Sequence, residues 1–210
     1  MANELQRRYL PRAAQKIAIQ ERADGAPPII TGYAAVFYRE GDTGTEFELW
    51  PGAVERIAPG AFSRAIKEDD VRGLFNHAPE AVLGRNGAGT LRLVEDAIGL
   101  RYEIDPPDTQ LARDLIQSIK RGDVSGSSFA FIPHEGGTLK RSDGARTIYE
   151  RTSLQLFDVG PVTYPAYSAS SVSARAMGLD NLRQEEDAAR AADLDAVAVA
   201  VLLAELEEAE

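Results

Sequence analysis

The sequence has no cysteine and only two histidines, His77 and His134, in 210 residues. The absence of thiols excludes a cysteine nucleophile, disulfide bonds and the common cysteine-rich zinc sites. The two histidines are far apart and have no carboxylate at metal-ligand spacing, so we expect no metal. No glycine-rich phosphate loop is present, and we expect no cofactor. The list of imidazoles that could act as the base for a hydroxyl nucleophile is therefore short.

Long apolar runs are also missing. The longest, residues 196–204, is shorter than the roughly 20 residues that cross a bilayer, and residues 1–12 lack the apolar core of a signal peptide. The net charge is −10, and ten Asp or Glu against two Arg lie in residues 180–210. Phosphate contacts need clustered Lys and Arg, so this balance argues against nucleic acid. We therefore expect neither a membrane nor a nucleic-acid partner.

Composition divides the chain into four parts. Residues 1–14 have mixed charge and predict a mobile leader. Residues 15–167 carry the apolar periodicity of a folded domain. Residues 168–179 are small and polar and predict a linker rich in Ser and Ala. Residues 180–210 are rich in Ala and Glu, without interior Gly or Pro, and predict an acidic helical tail.

Alternating apolar and polar positions in the central part predict about seven strands. The clearest are residues 90–95 and 99–105, which we expect to form a hairpin. Residues 136–145 are expected to form a flexible loop. With two short helices, this pattern indicates an α+β, mostly β fold, arranged as a barrel.

One helix has clear signals at both ends. Asp108 or Thr109 can cap its start, it runs to about Arg121, and Gly122 stands where a C-terminal cap belongs. Its expected buried stripe consists of Leu111, Leu115, Ile116 and Ile119.

A segment of small residues leads from Gly122 into an apolar strand and carries Ser125, Ser127 and Ser128. A hydroxyl at the start of a rigid strand is fixed and reachable, as a nucleophile must be. Side chains alternate along a strand, so Ser125 and Ser127 share one face and Ser128 points to the other. The segment does not match the strand-to-helix elbow of many hydrolases. Serines that bond to backbone at a strand edge are the alternative.

Three residues are candidate partners for such a serine. His77 ends an apolar strand, where an imidazole is oriented by the sheet and open to a cleft. His134 stands in a Gly-rich loop, where a solvated side chain is the simpler interpretation. Asp158 interrupts an apolar strand, and pairing with an imidazole N–H would explain a carboxylate there. A strand with one face in water would explain it equally.

Several segments, in order, resemble the prohead (procapsid) maturation proteases of tailed bacteriophages, which are serine peptidases related in fold to the herpesvirus assembly protease. No single motif is specific, but the ordered set covers residues 15–175. The matching segments are residues 30–37 (ITGYAAVF), 55–62 (ERIAPGAF), 74–77 (LFNH), 83–85 (LGR), 89–93 (GTLRL), 99–100 (GL), 124–131 (VSGSSFAF) and 158–167 (DVGPVTYPAY).

The resemblance implies a closed or nearly closed antiparallel β-barrel with a few short flanking helices. It implies that Ser128 is the nucleophile, His77 the base and Asp158 the residue that orients His77. Backbone amides near Gly84 and Arg85 would hold the oxyanion, although Arg85 alone fits an ordinary surface arginine.

Two positions depart from the family pattern. Ala130 stands where Gly is common, and where the family usually has an acidic-then-Ser pair, this chain has Asp158 and Gly160 in a slightly altered pattern. In the herpesvirus relatives the third member of the site is a second histidine, and His134 is the one left in this chain to fill that role.

The family's activity implies proteolysis inside the assembling prohead, in the host cytoplasm. Expected substrates are the scaffold, or the scaffold segment of the major capsid protein, and the protease itself, which could also form a homo-oligomer. The acidic tail could bind a helical scaffold or be removed by self-cleavage. The alternative is a catalytically inactive assembly protein of the same fold that binds capsid or scaffold protein.

Overall fold

The structure, a computed structural model, describes residues 5–9, 17–23 and 27–164. The expected linker (168–179) and acidic tail (180–210) lie outside these residues, and so does most of the expected leader. The division into leader, domain, linker and tail therefore stays a prediction.

The described residues form thirteen strands and two α-helices. The helices are α1 (Ala65–Glu68) and α2 (Gln110–Arg121), and short 3-10 helices lie at Thr43–Thr45 and Asn86–Ala88. The strands are β1 (Gln6–Tyr9), β2 (Ala18–Gln20), β3 (Ile29–Val36), β4 (Glu46–Trp50), β5 (Ala53–Ile57), β6 (Arg72–Leu74), β7 (Val82–Arg85), β8 (Leu91–Glu95), β9 (Gly99–Ile104), β10 (Gly126–Pro133), β11 (Thr138–Asp143), β12 (Arg146–Arg151) and β13 (Leu154–Val162).

The strands pair into three sheets. Sheet 1 has the order β1-β10-β13-β6-β7, sheet 2 the order β11-β12-β5-β4, and sheet 3 the order β2-β3-β9-β8. The mostly β class is confirmed, and so is the β8–β9 hairpin. The closed barrel is wrong for the described residues, since each of the three sheets ends in two edge strands.

Two strand pairs are parallel, which corrects the expectation of antiparallel pairing throughout. β12 pairs with β5, and β13 pairs with β6. Both pairs join strands that are far apart in the sequence, whereas hairpins join strands that are close. Alternation of apolar and polar residues reveals a strand but carries no information about its direction.

Strand β11 lies where a flexible loop was expected. Thr138–Asp143 pairs with β12 in an antiparallel hairpin, but nearly all of its side chains are exposed. A strand that buries neither face has no apolar alternation, so the sequence gives no signal for it.

Helix α2 forms where its end signals predict. The Thr109 hydroxyl accepts a hydrogen bond from the Ala112 N–H at 3.3 Å, and Gly122 adopts the left-handed φ of 84° that ends the helix. Leu111, expected in the buried stripe, is 39% exposed. The side chains that the helix does bury are Ala112, Leu115, Ile116 and Ile119. No helix in the described part of the chain is long and apolar enough to cross a membrane.

Strand β10 carries the serines between β1 and β13 in sheet 1. One face of it is fixed in the core, since Phe129 and Phe131 have no exposed surface and stack with ring centroids 5.0 Å apart. Phe62 packs edge-on against Phe129 at 5.6 Å. Burial of each such ring stabilises the fold by about 1.5–3 kcal/mol. The aromatic face therefore sets the direction in which the opposite face of β10 points.

Part of the expected leader is ordered. Gln6–Tyr9 form β1, one of the two edge strands of sheet 1, antiparallel to β10 with Tyr9 opposite Ser128. These four residues are polar, charged or aromatic and show no alternation, so they are indistinguishable from a mobile segment in the sequence. Their order comes from pairing with β10.

Candidate active site

Ser127 and Ser128 are neighbours on β10 and point to opposite faces of sheet 1. The Ser127 hydroxyl lies 2.8 Å from the Tyr102 hydroxyl, and neither residue has exposed surface. Burial raises the pKa of the Tyr102 phenol, so this pair is a neutral hydrogen bond inside the core. The Ser128 hydroxyl faces His77 instead. Strand alternation therefore separates a core serine from the candidate nucleophile.

The sequence predicts that His77 ends a strand. In the structure it lies in a tight turn after β6 instead. β6 stops at Leu74, and the Ala78 N–H donates to the Phe75 carbonyl at 3.1 Å. The two central residues of the turn, Asn76 and His77, both have φ of 55°. Left-handed backbone at a non-glycine residue costs on the order of 1–3 kcal/mol and persists where its surroundings hold it.

Asn76 holds this turn against the end of β13. Its side-chain carbonyl accepts from the Thr163 N–H at 2.8 Å, and its amide group donates to the Thr163 hydroxyl at 3.0 Å. The Asn76 backbone N–H donates to the Pro161 carbonyl at 3.0 Å. Asn also tolerates left-handed backbone better than most residues. These three bonds fix the imidazole relative to the strand that carries Asp158.

Gly160 allows β13 to pass close to the His77 turn. A Cβ at this position would lie 2.0 Å from the Leu74 carbonyl oxygen, so only glycine fits. Gly160 lies opposite Ser128 in the β10–β13 ladder, and Asp158 lies two residues before it. In this chain, the departure from the family pattern at Gly160 therefore has a packing reason.

His77, Ser128 and Asp158 form one hydrogen-bonded chain. Nδ1 of His77 lies 2.5 Å from Oδ1 of Asp158, and Nε2 of His77 lies 2.5 Å from Oγ of Ser128. This order of hydroxyl, imidazole and carboxylate is the one that serine hydrolases use. Asp158 is 8% exposed, and its contact with the imidazole explains a carboxylate within an apolar strand. The structure thus brings together the three residues selected from the sequence.

Strand β1 covers the serine. Ser128 has no exposed surface, and His77 is 8% exposed. The Ser128 hydroxyl also donates to the backbone carbonyl of Arg8 at 2.9 Å. A hydroxyl has one proton, so it donates to the Arg8 carbonyl or to His77, but not to both at once. A peptide that reaches Ser128 along the edge of β10 must take the place of β1.

Ser125 and His134 stand apart from this cluster. Ser125 is exposed and lies just before β10. His134 follows the opposite end of β10, and its Nδ1 lies 2.9 Å from the Ser153 hydroxyl. Six residues of extended chain, roughly 20 Å, separate it from Ser128. The structure therefore does not bring His134 to the cluster as its third member. Within the described residues, no His, Asp and Glu side chains gather in a way that could hold a metal ion.

Gly84 and Arg85 lie on β7, at the far edge of sheet 1. β13 and β6 separate this strand from β10, a span of about 14 Å. The Arg85 guanidinium donates to Asp70 at 2.7 and 2.8 Å, and the Arg85 N–H donates to the Thr90 hydroxyl at 3.0 Å. A Cβ on Gly84 would lie 2.7 Å from the Thr90 carbonyl oxygen, so this glycine serves packing. Neither residue is brought to Ser128, and their expected oxyanion role has no geometric support.

Sequence reasoning missed Arg8, whose backbone carbonyl contacts Ser128, and Glu55, which pairs with the Arg8 side chain. Glu55 of β5 has no exposed surface and pairs with Arg8 and Arg151. Burial raises the pKa of the Glu55 carboxyl, but the two arginines outweigh burial and hold that pKa below its ordinary value. The one available signal was a carboxylate that shares a strand face with the apolar residues Ala53 and Ile57 of β5. Arg8 gave none, since it stands in a charged leader.

No curated protein matches this chain. Among solved structures, the bacteriophage T4 capsid assembly protease, gp21, aligns with a TM-score of 0.46 and 13% identity, over 77% of this chain and 98% of that chain. A family model described as caudovirus prohead serine protease matches residues 15–185. Because this match spans most of the sequence, the resemblance is confirmed, and the chain belongs to the caudovirus prohead serine protease family.

Proposed function

We propose that this protein is a serine endopeptidase of capsid maturation, with Ser128 as nucleophile, His77 as general base and Asp158 as the residue that orients His77. The observation that carries the proposal is the contact order from Ser128 Oγ through His77 to Asp158, with 2.5 Å at each step. Membership of the prohead serine protease family supports it independently.

The reaction begins with transfer of the Ser128 proton to Nε2 of His77. Nδ1 faces Asp158 and keeps the other ring proton, so Nε2 carries the lone pair that accepts the proton. Oγ attacks the peptide carbonyl carbon, and Asp158 stabilises the imidazolium that forms. His77 then protonates the leaving amine, and a water molecule activated in the same way hydrolyses the ester.

The proposed substrates are the scaffold segment of the major capsid protein, or a separate scaffold protein, and the protease itself. Cleavage would take place inside the assembling prohead in the host cytoplasm. Removal of the scaffold would clear the interior before DNA is packaged. Family membership supports a capsid substrate, and the cover that β1 provides over Ser128 is compatible with control by self-cleavage.

Coexpression with the major capsid protein of the same phage tests this proposal. We expect wild type to shorten the capsid protein and Ser128→Ala to leave it whole, as read by mass spectrometry. Ser127→Ala is the matched control, because it removes a hydroxyl that bonds to Tyr102 rather than to His77. Processing by Ser128→Ala would overturn the assignment. If wild type leaves the capsid protein whole but binds it, the inactive assembly protein becomes the better interpretation.

A further inference from the structure

Strand β1 covers the edge of β10 beside the proposed nucleophile. Extended peptides commonly bind by adding a strand to an exposed sheet edge. β1 adds such a strand to β10, antiparallel, with Arg8 opposite Phe129 and Tyr9 opposite Ser128. Among the described strands of sheet 1, β1 pairs with β10 alone. The family match begins at residue 15, after the end of β1. Without β1, β10 would be the sheet edge and Ser128 would open onto it.

The Arg8 carbonyl lies against the proposed nucleophile. Ser128 Oγ is 2.9 Å from the Arg8 carbonyl oxygen and 2.5 Å from Nε2 of His77. The hydroxyl therefore touches the carbonyl group of Arg8, and a peptide carbonyl is the group that a serine nucleophile must reach. By this placement the Arg8–Tyr9 bond corresponds to a scissile bond, and Arg8 is the residue on its amino-terminal side.

The Arg8 side chain fills a buried acidic pocket. Its Nε donates to Oε1 of Glu55 at 2.6 Å, and its Nη2 donates to Oε2 at 3.1 Å. The guanidinium carbon lies 5.4 Å from the centroid of the Phe131 ring, and the residue is 9% exposed. A two-point contact to a carboxylate with an aromatic ring nearby fits the planar guanidinium better than an ammonium or a neutral side chain.

Arg151 holds Glu55 in place from the other side. Its Nε donates to Oε2 of Glu55 at 2.7 Å, and its Nη1 donates to the Thr138 hydroxyl at 2.7 Å. Oε1 of Glu55 then accepts the hydrogen bond from Nε of Arg8. A carboxylate without exposed surface is stable only when it is paired with a cation. Arg151 is the cation that belongs to the pocket, and the pocket accepts a second guanidinium, which here is that of Arg8.

We infer that this peptidase cleaves after arginine: substrate peptides replace β1 on the edge of β10 and place an Arg side chain on Glu55, and the Arg8–Tyr9 bond of the chain is itself one such site. The inference rests on the proposed roles of Ser128 and His77. Glu55 is then a specificity-determining residue, and β1 covers the nucleophile until it is cleaved or displaced.

Self-cleavage at this site is an ordinary peptide hydrolysis. Ser128 Oγ forms an ester with the Arg8 carbonyl carbon, the bond to the Tyr9 nitrogen breaks, and His77 delivers the Ser128 proton to that nitrogen. One water molecule then hydrolyses the ester, which releases the Arg8 carboxylate and restores the Ser128 hydroxyl. The products are a peptide of residues 1–8 and a chain that begins at Tyr9.

Peptide cleavage by the full chain tests the specificity. The probe is a synthetic peptide with the sequence of residues 3–12, beside matched peptides that carry Arg8→Met or Arg7→Met. We expect cleavage after Arg8, a kcat/KM about 100-fold lower for the Arg8→Met peptide, and little change for the Arg7→Met peptide. In Glu55→Gln protein, the preference for Arg8 over Met should shrink to less than tenfold. Equal cleavage of the Arg8 and Met peptides by wild type, or an unchanged preference in Glu55→Gln, would overturn the inference.

Variants of the chain itself keep the test independent of whether Glu55→Gln folds. Wild-type protein should accumulate a product that begins at Tyr9, and Arg8→Glu, which sets a second carboxylate beside Glu55, should not. A fluorophosphonate probe should label Ser128 about tenfold faster in Arg8→Glu than in wild type, since β1 no longer binds the pocket. Arg7→Glu is the control with the same charge change at an exposed position, and it should retain both the product and the wild-type labelling rate.

The outcomes separate the two proposals. Labelling of Ser128 without any preference for arginine overturns the inference and leaves the proposed function standing. No labelling of Ser128 in wild type, Arg8→Glu or Arg7→Glu overturns the proposed function and the inference with it. A product that begins at Tyr9 in Ser128→Ala would show that another protease makes this cut, which also counts against the inference.

Discussion

The two edges of sheet 1 each carry an arginine paired with a carboxylate, at almost the same distance. At the β1 edge, Arg8 Nε lies 2.6 Å from Glu55, and at the β7 edge, Arg85 Nε lies 2.7 Å from Asp70. Their surroundings differ. The Arg8 and Glu55 side chains are 10% and 0% exposed, whereas those of Arg85 and Asp70 are 49% and 46% exposed.

This difference decides what each pair can do. Water and salt screen the exposed pair, so it adds little to stability and offers no enclosed site. The buried pair is held in one geometry, and removal of either partner leaves a charge out of water. A pocket that selects a charged side chain needs such an enclosed opposite charge. The β1 edge therefore has an enclosed acidic pocket, whereas the ion pair at the β7 edge belongs to the surface.

The largest contrast between the edges should appear in activity. Asp158→Asn leaves the shape of the β10 site intact but no longer fixes the His77 tautomer, and we expect kcat to fall about 10⁴-fold. The measurement is the initial rate on the peptide of residues 3–12. A loss of less than tenfold would show that Asp158 only packs beside the imidazole.

Stability should show the next largest contrast. In a Ser128→Ala background that prevents self-cleavage, Glu55→Gln should lower the free energy of unfolding by about 3–5 kcal/mol, because two arginines lose their buried carboxylate. Asp70→Asn, the matched change at the other edge, should leave the urea midpoint unchanged. Equal effects of the two substitutions would break the comparison.

The pH dependence sharpens the same contrast. The folded-state pKa of Glu55 lies below its ordinary value of 4.5. Its contribution to stability is therefore fully present above that value and is lost as the pH falls through the lower folded-state pKa. The difference in the free energy of unfolding between the protein with Glu55 and the Glu55→Gln variant should be constant from pH 6 to 8. It should disappear only in acid below pH 4.5. A difference that disappears near neutral pH would contradict the ion-pair account.

A smaller effect is expected from the turn that positions His77. Asn76→Ala removes two bonds to Thr163 and puts a poor residue in a left-handed conformation. We expect kcat to fall about tenfold, with KM unchanged, because the imidazole is misplaced while the peptide pocket is intact. Asn76→Gly also loses the side-chain hydrogen bonds, but glycine tolerates the left-handed backbone. Its kcat should therefore lie between those of Asn76→Ala and wild type. Full activity in both variants would remove positioning from the role of Asn76.

The smallest effect should come from the β7 edge. Arg85→Ala should leave kcat/KM on the same peptide within twofold of wild type, because its guanidinium pairs with Asp70 and lies three strands from Ser128. A loss of more than tenfold would show that the oxyanion role expected from the sequence is correct after all.

Local chemistry explains what could be predicted from the sequence. Thr109 and Gly122 mark the ends of α2 by short-range capping, and alternation reveals the β8–β9 hairpin and puts Ser127 and Ser128 on opposite faces. The ordered resemblance to a family then selected His77, Ser128 and Asp158, which lie together in the structure.

Long-range pairing explains what could not be predicted. The parallel ladders of β5 with β12 and of β6 with β13 join distant segments, and no residue pattern encodes their direction. β1 and β11 are polar strands whose order comes from a partner rather than from their own residues. The turn at His77 needs left-handed backbone at two non-glycine residues, a conformation that the sequence disfavours and the contacts of Asn76 maintain.

Covalent labelling by a fluorophosphonate, with the adduct located by mass spectrometry, tests the central claim most directly. Wild type and Arg8→Glu, incubated to completion, should each carry a single adduct on Ser128, and His77→Ala should carry none. An adduct on a different serine, equal labelling of His77→Ala, or no adduct on Ser128 in either active form would contradict the account.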